Sequence, residues 1–140
     1  RCAVSKLLLL DVNVLLALGW EQHEHHAATI KRLHSKQAWA SCAITQLGFI
    51  RISSMPGVFH VSLTPAQAAE ILRNLLADGL HRSLPDIAAA TDVDWAQVRH
   101  AKHTTDAYLM ALARAHKARL LTIDRQLAAS AADAVELLST

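Results

Sequence analysis

The sequence predicts an α/β fold, an α/β/α sandwich with a mainly parallel central sheet, and three observations carry that expectation. Short apolar runs such as Leu7–Leu10 and Leu120–Leu121 have the length and content of strands buried on both faces. These runs alternate with segments of helical period, the order that builds a parallel sheet. The chain has 140 residues, which suits one domain with one substantial core, and residues 1–140 read as that single domain. Hydrophobic residues at 52% and charged residues at 19% exclude a largely disordered chain.

The elements follow in order. Leu7–Leu10, cut by Asp11, is the first expected strand. Val14, Leu15, Leu16 and Leu18 continue as a short helix that closes near Gly19. A second helix is expected over about His23 to Lys36, with His26, Ile30 and Leu33 on one face. Ala38–Ser41 reads as a strand and Thr45–Ser53 as a helix. Thr64-Pro65-Ala66-Gln67 is a helix start: Thr64 caps, Pro65 opens the first turn and Gln67 returns a hydrogen bond. Ala68, Ile71, Leu72, Leu75 and Leu76 then form an inward stripe, and Gly79 is the expected stop. His81–Leu84 reads as a strand, Asp94–His100 and Thr105–His116 as helices, and Arg119–Thr122 as a strand. A short helix after Asp124 and a last strand, Val135–Leu138, complete the chain.

Composition bounds the partners. The formal charge is +2, which permits an anionic partner without requiring one. Cys2 and Cys42 form no CxxC pair, so a reduced, cytoplasmic setting is expected. Asp11 interrupts the leucine run short of a signal sequence, and no stretch reaches the roughly 18 apolar residues of a membrane span.

Three acids stand where this fold places reactive groups. Asp11 ends the first strand, Asp124 follows the late strand, and Asp106 opens a helix. Ligands of open parallel sheets bind beyond the carboxyl ends of the strands, where strand order switches. Carboxylates gathered there raise one another's pKa values unless a cation neutralises them, and Mg²⁺ or Mn²⁺ suits such oxygen ligands. Each acid alone also has a plainer use, as a turn former, a helix cap or a complement to a helix dipole.

Four blocks occur in sequence: Leu-Leu-Leu-Leu-Asp11-Val-Asn13-Val-Leu-Leu-Ala-Leu, Ile44-Thr-Gln46-Leu-Gly-Phe49-Ile-Arg51, Thr105-Asp106-Ala-Tyr108-Leu-Met-Ala-Leu-Ala, and Leu121-Thr122-Ile-Asp124. Together they resemble the signature blocks of the PIN domain, especially the VapC toxins of bacterial toxin–antitoxin pairs, across nearly the whole chain. The resemblance implies a PIN-like fold and a Mg²⁺- or Mn²⁺-dependent endoribonuclease. In such an enzyme a metal-activated water cleaves RNA, leaving 3′-hydroxyl and 5′-phosphate ends. It further implies a homodimer inhibited by a cognate VapB-like antitoxin, whose arginine would pair with the acidic cleft. Carried onto this sequence, Asp11, Asp106 and Asp124 match the catalytic metal positions, Asn13 and Thr122 their polar neighbours, and Arg51 a structural or phosphate-facing site. Gln46 stands where the family usually has glutamate. It brings no charge, so weaker metal binding or slower cleavage is expected, which Gln46→Glu would test.

Rival readings are a non-catalytic PIN module that binds RNA or a protein, its site weakened at Gln46, and an aspartyl phosphatase built on Asp11. The latter would want an acid in place of Asn13. Glu21–His26 invites zinc, but His23-Glu24 lacks the second histidine of HExxH, because residue 27 is Ala27. A helix-entry or partner-facing role for this segment is expected instead. Basic residues form three patches: Lys31, Arg32 and Lys36; Arg99, Lys102 and His103; Arg114, Lys117 and Arg119. The second immediately precedes Asp106 and is the one expected to touch RNA phosphates. Trp20, Trp39 and Trp95 suit either core and interface positions or base stacking.

Overall fold

The computed structural model describes residues 6–34 and 36–139. Among these residues five strands form one sheet in the order β3-β2-β1-β4-β5, with β1 at Leu8–Leu10, β2 at Trp39–Ser41, β3 at His81–Ser83, β4 at Arg119–Thr122 and β5 at Val135–Leu137. Every neighbouring pair is parallel. The α/β class and parallel sheet expected from the sequence are therefore what the chain adopts. The order switches at β1, which has β2 on one side and β4 on the other.

Among the described residues six α-helices connect and cover the strands: α1 (Val12–Gly19), α2 (His26–Arg32), α3 (Ala43–Ser53), α4 (Pro65–Leu76), α5 (Thr104–Ala115) and α6 (Arg125–Ser130). Alternation along β1 divides the core. Leu8 and Leu10 pack with Val14, Leu15, Phe49 and Leu72 from α1, α3 and α4. Leu9 points the other way, to Tyr108, Leu109 and Leu112 of α5. A strand buried on both faces has no polar side, so a pure leucine run serves. The Thr64 capping box forms as expected: Gln67 N–H donates to Thr64 Oγ1 at 3.1 Å and Thr64 N–H to Gln67 Oε1 at 2.9 Å.

Several boundaries differ from the expectation. The helix expected over Asp94–His100 does not form. Three 3₁₀ turns, Ala90–Asp92, Trp95–Gln97 and Ala101–His103, occupy that stretch. Asp94 accepts from Ala96 N–H and the Trp95 indole donates to Ala90 O, so local side-chain bonds replace helical ones. α2 starts three residues late, because His25 N–H donates to His23 Nδ1 and holds a turn; Ser35, in the expected helix, lies outside the described residues, as does Cys2. α4 ends at Leu76 without a left-handed glycine. Asp78 Oδ1 accepts from Leu80 N–H and turns the chain before Gly79 acts as a cap. Within the expected α4 stripe, Ala68 and Leu72 are buried but Ile71 is 38% exposed.

Where β2 and β4 begin, charges are matched. Arg32 Nε and Nη2 donate to the two oxygens of Glu136 at 2.5 and 3.0 Å, and Arg119 Nη1 reaches the same carboxylate at 3.4 Å. Gln37 accepts from Arg32 and donates to the Lys6 and Ala38 carbonyls, tying α2 to the start of β2. Arg32 and Arg119 are thus committed to structure.

At the other edge, α3 lies against the start of α1 through Gly48. A Cβ there would sit 2.8 and 3.0 Å from the two Val12 methyls. Valine is stiff at χ1 and cannot swing clear. Gly48→Ala is therefore expected to destabilise the fold by about 1–3 kcal/mol in denaturant titration. Combining it with Val12→Ala should recover much of that loss.

Candidate active site

The site is built where the switch in strand order leaves a crevice beyond β1 and β4. Leu10 pairs with Leu121, and Asp11 N–H extends the ladder to Leu121 O at 2.9 Å. Asp11 and Thr122 therefore leave the sheet side by side. Asp11 caps α1: Oδ1 accepts from Val12 N–H at 2.8 Å, while Oδ2 accepts from the Thr122 hydroxyl at 2.9 Å. The same hydroxyl accepts from Asp124 N–H at 3.1 Å. One fully buried threonine thus links the residues that end the two strands. Asp124 caps α6, with Oδ1 accepting from Gln126 and Leu127 N–H at 2.9 and 3.2 Å.

Asp106 lies in the first turn of α5. Burial raises its pKa most, and the charges of Asp11 and Asp124 raise it further, to about 6, against a small opposing pull from His103. Asp11 is 7% exposed; burial lifts its pKa too, with Asp124 adding to the rise and the bonds from Thr122 and Val12 working against it. The three acids share one electrostatic neighbourhood. Among the described residues no three His, Cys, Asp or Glu side chains stand together at ligand spacing. The carboxylates are close enough to repel but not drawn into a closed cage.

A cleft of about 700 Å³ opens beside them. Asp106 and Asp124 line it on one side, and Arg99, His100 and His103 supply basic groups. Lys102, third of the expected RNA-contacting trio, is exposed on the turn before α5 and does not line the cleft. Of the other basic residues, Arg114 lines the same cleft, 3.7 Å from Asp133. Asn13 is exposed at the second position of α1. Arg51 is exposed near the end of α3, its guanidinium 3.8 Å from Met55 Sδ.

Gln46 sits on the first turns of α3, at the same strand-end edge. Its Nε2 donates to Ser41 Oγ at 2.9 Å and Ser83 Oγ at 3.1 Å, and Ser41 Oγ lies 2.7 Å from His81 Nε2. Ser41, His81 and Ser83 were not among the residues singled out from the sequence. The one signal available is that the expected second and third strands each carry a serine near the end. Trp39 is core and Trp20 stacks on Phe59 at 3.9 Å between centroids; Trp95 folds back on Ala90 in the loop over α5. In the His-rich segment, His26 Nδ1 lies 2.7 Å from Ala17 O, pinning α2 to α1.

Comparison with known proteins gives a consistent result. Residues 8–133 match the profile of the PIN domain. The chain is 43% identical over 138 residues to Ribonuclease VapC39 of Mycobacterium tuberculosis, covering 93% of this chain and 98% of that protein. It is 40% identical over 121 residues to Ribonuclease VapC38 of the same organism, covering 84% and 85% of the two chains. A solved structure described as VapBC2 from Rickettsia felis bound to a DNA fragment from their promoter superposes with a TM-score of 0.62. That match covers 95% of this chain and 99% of the other at 13% identity, a likeness of fold.

The raised Asp106 pKa carries a sign. The fold favours the protonated acid, so its contribution to stability is present at low pH and lost as the pH rises through about 6. Without added divalent ion, Asp106→Asn should raise the thermal midpoint at neutral pH. The gain should shrink as the pH falls below about 6, where the native side chain is already neutral. Equal gains at both pH values would mean that neither burial nor the neighbouring acids raise the Asp106 pKa.

Proposed function

Since the chain belongs to the PIN domain family, we propose that it is the toxin of a VapC-type toxin–antitoxin pair, an endoribonuclease that hydrolyses RNA phosphodiesters at the acidic edge. The observation that carries the reading is that Thr122 ties Asp11 to Asp124 at the switch in strand order, with Asp106 feeling the charge of both. The names of the VapC relatives support it.

The donor set fits a hard divalent cation. Asp11, Asp106 and Asp124 are oxygen ligands whose repulsion a 2+ charge would relieve, and oxygen ligands suit Mg²⁺ or Mn²⁺. When bound, such an ion supplies an activated water and neutralises phosphate charge. The residues of the chain do the rest. Thr122 and the Val12 N–H hold one Asp11 oxygen each, the cap to α6 orients Asp124, and Asp106 is carried on the first turn of α5. Asn13 and Gln46 add neutral polar groups at the margin. Arg99 and His103, with Lys102 behind them, would carry the RNA backbone along the cleft as phosphate contacts.

A cognate antitoxin would cover the cleft, an arginine pairing with the acids, and a homodimer is the expected assembly. Among the described residues no helix is long and apolar enough to cross a membrane.

Two measurements test the reading. Asp11→Asn should abolish Mg²⁺-dependent cleavage of a structured RNA, with far-UV circular dichroism unchanged; full activity in that variant would remove Asp11 from the mechanism. Arg99→Ala should weaken RNA binding and reduce the slope of log K against log salt by about 0.7 per lost contact. Tight RNA binding without turnover in the unaltered chain would favour the non-catalytic module instead.

A further inference from the structure

Gln46 stands where an acid was expected, and its surroundings account for the amide. The Nε2 group has two hydrogens, and two hydroxyls take them. Those hydroxyls belong to Ser41 and Ser83, the last residues of β2 and β3, which lie opposite one another in register. Ser41 is fully buried. Its hydroxyl has one proton to place, and among the described residues its polar neighbours are Gln46 Nε2, which cannot accept, and His81 Nε2 at 2.7 Å. Leaving that proton unplaced would cost about 1–3 kcal/mol.

The amide sets the direction. Gln46 Nε2 donates to Ser41, so the Ser41 proton goes to His81 Nε2, and that nitrogen is the one that carries the lone pair. Burial lowers the His81 pKa and so favours the neutral ring with a single N–H, which then lies on Nδ1. Asp78 adds a weaker pull toward protonation, and the Trp39 ring packs at 4.6 Å. The reversed order, His81 to Ser41 to Gln46, would need the amide oxygen in place of the nitrogen that reaches both hydroxyls.

We propose that His81, Ser41 and Ser83 are positioning residues for Gln46, a one-way chain from Gln46 through Ser41 to His81 that turns the amide nitrogen inward and leaves the carbonyl oxygen as the acceptor at the acidic edge. The proposal rests on the reading of position 46 as part of the site. Gly48, two residues on, is pressed against Val12, so this stretch of α3 is held beside Asp11. A glutamate at this position has no proton to give. Ser41 must then donate to the carboxylate, and His81 must offer an N–H at Nε2, by changing tautomer or by taking up a proton. The added negative charge, two hydrogen bonds away, favours the protonated ring. Position 46 is therefore built for an amide.

Imidazole ¹⁵N NMR on the full chain tests this without reference to RNA cleavage. In the unaltered protein at about neutral pH, His81 should be the Nδ1–H tautomer. In Gln46→Glu its titration midpoint should rise by about one pH unit, and adding Ser41→Ala should cancel that rise. An Nε2–H tautomer in the unaltered protein, or a midpoint that Gln46→Glu leaves in place, would overturn the chain. The tautomer needs no variant, so a misfolded Gln46→Glu leaves the test intact. An absence of RNA cleavage would defeat the ribonuclease reading while leaving the His81 result unchanged.

Discussion

The site depends on one hydroxyl in one register. Pairing of Leu10 with Leu121 brings Asp11 and Thr122 level at the sheet edge, and the Thr122 oxygen then serves both strand ends, donating to Asp11 and accepting from Asp124. A slip of one residue would turn Thr122 to the opposite face and separate the acids. The hydrogen bonds on Asp11 are charge-assisted, each worth about 1.5–3 kcal/mol, yet burial still outweighs them and its pKa remains raised. The edge is therefore electrostatically unfavourable as it stands, and the leucine core on both faces of β1 holds it together.

The two ends of the sheet divide the work. Where β4 begins, Glu136 is answered by Arg32 and Arg119, a matched group that fastens α2, β4 and β5. Where β1 and β4 end, Asp11, Asp106 and Asp124 face one another with only modest relief from His103. Compensated charge stabilises the first end. Uncompensated charge at the second gives a cation or a basic partner something to bind.

Position 46 shows how a neutral residue is fastened at the carboxyl end of the sheet. The amide is held by hydroxyls from two strands, one of them bonded in turn to His81 at the start of β3, so its surroundings extend to the edge strand. Gly48 gives the same segment a close approach to α1. The acids that follow β1 and β4 and the amide beside β2 and β3 are placed by different parts of the sheet, at its same carboxyl end because every strand runs in the same direction.

Much of this was legible in the residues themselves. Leu7–Leu10, Arg119–Thr122 and the Thr64 capping box are local patterns, and local patterns declare their own conformation through periodicity and capping chemistry. Asp11 and Asp124 were readable together because residues that follow neighbouring parallel strands share an edge, whereas Asp106, in the first turn of α5, comes to feel their charge only through the fold. The segment 94–100 was misread as a helix because Asp94 and Trp95 satisfy backbone groups locally, a competition that periodicity does not register. The bonds from Gln46 to Ser41 and Ser83, and from Ser41 to His81, join residues up to 40 positions apart and leave no spacing rule in the chain. Sequence alone determined which groups were available and which elements carried them. Only the tertiary structure decided which of them touch, because contact between strand ends is set by register and packing across the sheet.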